Sequence, residues 1–294
     1  MMTIGRALRG GIVKAWSCWR AVLLLYLGLL GAALLGAVPW RSLLAAEAGQ
    51  SLLLKDLIKG FDYTVLNDFV QTYGAGLAPA LSTTLGAVVL FFFVYLFLLG
   101  GTLAVVISTA AHFERATFWA GAGSFFGRLL RLTLFFWVLH GLLLAAFGGI
   151  YWKVTKGLSP QALDSEGIIT ASLNWLVPLY LFFLSFLLMW QDYAKLQVVR
   201  LDRFWNGRAI RSAASIAFGR LRLTYPTYLL LLGGQVICWW AFHQLDMAIV
   251  RTDSARILLA IVLFQVALLL RLFWRVANWG AIGEVLRKSN GTNA

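Results

Sequence analysis

The sequence predicts an all-α polytopic membrane protein with six transmembrane helices, amphipathic interfacial helices and both termini cytoplasmic. Three observations lead there: an apolar composition, six long uncharged runs, and a one-sided distribution of basic residues. Of 294 residues, 61% are hydrophobic and 13% charged, whereas soluble domains run about 45–50% apolar and about 25% charged. That composition excludes both a water-soluble globule and a disordered chain.

The six runs are Ala21–Val38, Gly86–Ile107, Leu132–Tyr151, Leu173–Trp190, Thr227–Leu245 and Ile257–Leu270. With tilt or flanking residues each reaches the roughly 20 residues needed to cross a bilayer. Pro39, Pro79, Pro160 and Pro226 fall at or outside the expected ends, where a missing N–H costs little, and Pro178 sits early in the fourth run. Trp16, Trp19, Trp40, Trp119, Trp152, Trp175, Trp190, Trp205, Trp274 and Trp279 recur near expected helix ends, the depth at which the amphipathic indole is stable. The whole chain, 1–294, reads as a single integral membrane domain.

Charge sets the orientation, because cytoplasmic segments retain Lys and Arg. If the runs alternate in direction, one face receives eighteen bases and four acids, and the other seven bases and eight acids. The first face is then cytoplasmic, and the expected location is a bacterial inner membrane. The isoelectric point near 10.2 follows from loop topology and not from a nucleic-acid surface. Anionic lipid headgroups are the expected partners, together with other membrane subunits. Arg6 to Val38 resembles a secretory signal in outline. The long basic region, the extended apolar run and Pro39-Trp40-Arg41 ahead of Ala46-Glu47-Ala48 favour an uncleaved first span.

Between the spans three segments have patterns of their own. From 41 to 77, Leu54, Leu57, Ile58, Phe61, Val65 and Phe69 recur at helical spacing opposite Lys55, Asp56, Lys59, Asp62 and Asp68. This predicts an amphipathic outer loop, interrupted at Gly60, with Asp62 capping a short helix that ends near Gly74. Residues 206–222 predict a basic helix lying flat on the inner surface, with Ile210, Ala213, Ala214, Ala217 and Leu221 forming its apolar stripe. Arg9–Arg20 is a weaker version ahead of the first span. The near-repeat Phe126-Gly-Arg-Leu-Leu-Arg-Leu-Thr133 and Phe218-Gly-Arg-Leu-Arg-Leu-Thr224 reflects either an internal duplication or two similar membrane entries. Small residues every fourth position, at Gly28/Ala32/Gly36, Gly100/Ala104/Ser108 and Gly141/Ala145/Gly149, predict close helix approach.

Chemistry-bearing groups are sparse. His140 is the sole titratable side chain well inside an expected hydrocarbon stretch, with Gln235 and Gln265 as other polar groups, and these three are candidates to line a cavity. Cys18 and Cys238 define no disulfide framework, His112, His140 and His243 fall at different depths, and no cofactor or metal site is expected. Catalytic residues are not identified, and the sequence leans away from an enzyme. The richest segment follows the fourth span. Asp192 and Lys195 share a helical face, followed by Asp202 and Arg203, and Arg128, Arg131, Arg220 and Arg222 belong to the same membrane face. Together they predict contact with a lipid headgroup or a partner, or a salt-bridged helix end.

Three sets of residues then carry a resemblance. They are Gly60-Phe61-Asp62; Gly123 with Phe125-Phe126 and Arg128-Leu-Leu-Arg-Leu132; and Asp192-Tyr-Ala-Lys195 with Asp202-Arg203. In these the chain resembles a group of uncharacterised bacterial six-span integral membrane proteins. Its layout is similar to the membrane domain found beside glycerophosphodiester phosphodiesterases. The resemblance implies a membrane fold and no established activity, and hydrolytic function does not carry over from it. The expected role is a non-enzymatic membrane component, a lipid-contacting scaffold or accessory subunit of an envelope or transport assembly. The alternative is a permease for a small amphipathic or lipid-like solute.

Overall fold

The computed structural model describes residues 3–47, 63–110, 112–156, 166–201, 206–249 and 253–290. Within them the chain is helical: α1 (Ile4–Ser17), α2 (Trp19–Glu47), α3 (Tyr63–Ile107), α4 (Arg115–Lys156), α5 (Glu166–Leu201), α6 (Asn206–Gly219), α7 (Leu221–Ala248) and α8 (Ser254–Asn290). Each of the six expected spans lies wholly inside one helix. Five stretches are long and apolar enough to cross a membrane: Trp19–Ala45, Gly76–Ile107, Arg115–Thr155, Leu173–Leu201 and Ser254–Lys288. Helix α7, which contains the expected span Thr227–Leu245, is not among them. Thr227, Tyr228, Gly233, Gly234, Gln235 and His243 dilute its apolar residues.

The helices outrun the spans read from sequence. Helix α3 has 45 residues, about 68 Å at 1.5 Å per residue, against a hydrocarbon core of about 30 Å. The expected helix ends at proline are corrected accordingly, because Pro39, Pro79 and Pro226 lie inside α2, α3 and α7. One missing N–H is cheaper than several unpaired backbone groups in an apolar medium. Hydroxyls cluster at these points, with Ser42 Oγ donating to the Pro39 carbonyl at 2.8 Å and Ser82 and Thr83 to the Pro79 carbonyl at 2.9 Å. Pro160 and Asp62, with most of the outer-loop pattern, lie outside the described residues. The short helix expected to end near Gly74 instead runs on as the start of α3.

Helices α2, α3, α4 and α5 pack in sequence, α8 closes against α2 and α7, and α6 lies on α5. Helix α1 turns back at Cys18 and docks along the C-terminal third of α8, where a Cβ on Gly10 would lie 2.8 Å from Glu284 Cγ and one on Gly280 3.0 Å from the Gly11 carbonyl. Small residues act as expected at two of three stripes. Gly28 lies under Leu98, and Gly100 meets the Gly121 carbonyl, so α2 and α4 both approach α3 closely, whereas Gly141 has open space. The near-repeat is not structurally equivalent in its two copies. The second breaks into α6 and α7 at Gly219–Arg220, and the first runs uninterrupted through α4.

The buried core is concentrated at one end of the bundle, in Leu96–Val106 of α3, Phe118–Phe136 of α4, Met189–Val199 of α5 and Val276–Leu286 of α8. Toward the other end the helices present Leu34, Val38, Val88, Leu142, Leu144, Val236, Ile237, Leu258 and Val262 outward. A soluble surface would not sustain such an apolar belt.

Candidate functional site

The packed end holds a charged cluster built from two helices. Asp192 and Lys195, one turn apart near the C-terminus of α5, form an ion pair at 3.0 Å, and the Asp192 side chain is only 1% exposed. From α8, Arg275 donates to the same Oδ1 at 3.3 Å and Asn278 Nδ2 donates to Oδ2 at 3.3 Å. Arg275 also stacks over the Trp279 ring at 5.5 Å. The Trp279 indole N–H lies toward Asp192 without completing a hydrogen bond. One carboxylate therefore holds two cations and an amide, the density of partners that a buried charge requires.

Surrounding basic and amide side chains bind backbone. Lys14 Nζ donates to the Ser108 and Ala110 carbonyls, both at 3.0 Å, satisfying acceptors at the C-terminus of α3. Burial lowers the Lys14 pKa, with nearby charges as smaller influences, and burial raises that of the Cys18 thiol next to it. Arg200 donates to the Leu286 carbonyl at 2.9 Å, and Asn206 Nδ2 to the Arg128 carbonyl at 2.8 Å. Trp190 Nε1 donates to the Ile210 carbonyl at 3.1 Å, holding α6 on α5. The Thr224 hydroxyl closes the α6–α7 corner on the Ala217 carbonyl at 2.7 Å.

Of the residues singled out in the sequence, Asp192 and Lys195 are brought together, but buried and not displayed. Arg128 lies over the Phe125 ring at 5.5 Å, Arg131 Nε reaches the Gly127 carbonyl at 3.3 Å, and Arg220 and Arg222 are exposed. Among the described residues, the cationic partner of Asp192 from another helix is Arg275. Asp202 and Arg203 lie outside the described residues. The three polar residues considered for a cavity are dispersed. His140 Nδ1 sits 2.6 Å from the Phe136 carbonyl of its own helix, and Gln265 accepts from the Tyr26 hydroxyl at 2.9 Å. Gln235 lines a cavity of about 330 Å³ with Leu25, Leu29, Phe91, Tyr95, Leu268, Arg271, Leu272 and Arg275.

The α8 residues that sequence reasoning misses are Arg275 and Asn278, which bond Asp192, with Trp279 and Arg271 beside them. Their i, i+4, i+7, i+8 spacing puts all four on one face of α8, which is the signal the sequence carries for them. No family model, curated protein or solved structure matches the chain. The case for function therefore rests on the geometry alone.

Proposed function

We propose that the chain is a six-span, non-enzymatic component of a bacterial inner membrane, a lipid-contacting scaffold or accessory subunit of an envelope or transport assembly. The observation that carries this reading is how the polar chemistry is used. Asp192, Lys195, Arg275 and Asn278 tie α5 to α8, while Lys14, Arg200 and Asn206 bind backbone carbonyls. These groups brace helices at one end of the bundle.

Placement is supported by three features. Helix α7 carries outward Leu230, Val236, Ile237 and Trp240, a face like those of the five more apolar helices, and counting it gives six spans. Helix α1 and the C-terminal third of α8 lie together, which agrees with termini on one side. The eighteen bases assigned to that side against four acids support its being the cytoplasmic side. Helices α1 and α6 each bury a stripe of small residues, Ala7/Gly11/Ala15 and Ala209/Ala213/Ala217, and their basic outer faces suit an anionic inner leaflet.

Purification in native lipid tests the role. A stable partner or retained lipid is expected, and the absence of both overturns it. A second reading, a permease for a small amphipathic solute, is favoured by one observation, the cavity lined by Gln235, Arg271 and Arg275. Solute flux in liposomes containing the pure protein decides between them.

A further inference from the structure

We propose that the cleft between α2, α3, α7 and α8 binds one molecule of an anionic phospholipid, with its phosphate on Arg271 and Arg275 and an acyl chain along the α2–α3 groove. The proposal rests on the lipid-contacting reading and gives it a site. Two cavities form the cleft. The first, of about 330 Å³, is lined by Tyr95, Gln235, Arg271 and Arg275 among apolar neighbours. The second, of about 410 Å³, is lined by Ala32, Ala33, Gly36, Ala37, Val88 and others between α2 and α3. Both are lined by Leu29 and Phe91, so the cationic chamber opens directly onto the apolar groove. That sequence of linings, cation and hydrogen-bond donors followed by alkyl surface, matches a headgroup and its chain.

Charge selects an anion over a zwitterion. Among the described residues Asp192 is the single carboxylate in contact with the cluster, and Lys195 and Arg275 already share it. Arg271, one turn before Arg275 on α8 and exposed, makes no ion pair among the described residues. The site therefore keeps an unneutralised positive charge at the mouth of an apolar cleft, a charge that a bound phosphate can pair with. Arginine is suited to this because its guanidinium meets two phosphate oxygens at once.

Depth agrees with this orientation. Arg271 lies 17 residues beyond Ser254, the start of α8, about 25 Å along the axis at 1.5 Å per residue, most of the way across a hydrocarbon core of about 30 Å. It stands at headgroup level on the end that holds the packed core. From Leu29 the groove continues to Trp40, about 16 Å toward the opposite face by the same rise. A soluble phosphate compound would use the first chamber and leave the second empty. A membrane lipid uses both.

The test is native mass spectrometry of the full chain in mild detergent, titrated with dioleoyl-phosphatidylglycerol, dioleoyl-phosphatidylcholine or glycerol phosphate. One phosphatidylglycerol per chain is expected, held about tenfold more tightly than phosphatidylcholine, the scale of one charge-assisted contact. Arg271→Gln should lose about that factor while leaving unfolding temperature unchanged, since among the described residues no hydrogen bond or ion pair ties Arg271 to another helix. Ala33→Phe, which fills the groove from its open side, should weaken phosphatidylglycerol without restoring phosphatidylcholine. Equal binding of the two lipids, competition by glycerol phosphate as strong as that of phosphatidylglycerol, or unchanged binding in both variants overturns the site. If bulk lipid still copurifies with the variants in that event, the site fails and the broader lipid-contacting role stands.

Discussion

Replacing Asp192 by Asn is the most informative perturbation of the packed end. The wild-type carboxylate is 1% exposed and holds Lys195 at 3.0 Å and Arg275 at 3.3 Å. Asparagine keeps a carbonyl acceptor of similar shape and removes the charge, so two cations are left facing each other in a low dielectric. Breaking a buried ion pair from one side costs about 3–5 kcal/mol. The lower end applies here because the Arg275 side chain is 26% exposed and can swing toward water. At about 2–4 °C per kcal/mol, D192N should unfold roughly 6–12 °C below the wild type, read by tryptophan fluorescence during heating in detergent. Adding Arg275→Met removes the stranded cation on α8, and the double variant should recover part of the loss, a favourable coupling in the double-mutant cycle. A D192N shift below about 2 °C, or a double variant at the sum of the single losses, refutes the claim that this cluster holds α5 to α8.

Three further outcomes follow from the same structure. Gly11→Val drives a branched side chain toward the Ala277 carbonyl and Ala281 of α8 and should cost about 1–3 kcal/mol, whereas Gly141→Ala, with nothing within 4 Å, should leave thermal stability unchanged. Tyr26→Phe removes the hydroxyl that donates to Gln265 at 2.9 Å and should destabilise by about 1 kcal/mol in thermal unfolding. The folded state disfavours charged Lys14, so it binds fewer protons than the unfolded chain as pH approaches the ordinary lysine value of 10.5. Stability contributed by this group should therefore rise with pH across that window. The raised Cys18 thiol opposes it, because its contribution is lost as pH climbs above 9.0. In a Cys18→Ala background the rise should be measurable by pH-dependent unfolding, and Lys14→Met should flatten it.

The helical architecture was legible because it depends on local composition: every expected span lies inside a helix, and the segment 206–222 contains a separate helix, α6. Helix ends were not legible. A proline in water marks a boundary reliably, but Pro39 and Pro79 sit where neighbouring backbone bonds and Ser/Thr hydroxyls carry the helix past the gap. The first copy of the near-repeat shows the same limit, since its Gly127 sits in an unbroken helix while the equivalent Gly219 ends one. The charged cluster was half legible. Asp192 and Lys195 announce themselves by their three-residue spacing, but Arg275 and Asn278 lie 83 and 86 residues from Asp192. Only the packing of α5 and α8 makes them neighbours. Nothing in the sequence around Lys14 indicates the carbonyls of Ser108 and Ala110, 94 and 96 residues away.

Helix α7 decides the account, because whether it crosses the bilayer separates six spans from five and places the two ends of the chain on one side or on two. With Cys18 and Cys238 replaced by alanine, single cysteines at Ser215 in α6 and at Asp253 just before α8 report the two ends of that crossing to a membrane-impermeant maleimide. The account predicts that the cysteine at 253 labels in intact cells and the one at 215 only after the membrane is opened. Labelling of both from the same side would contradict it.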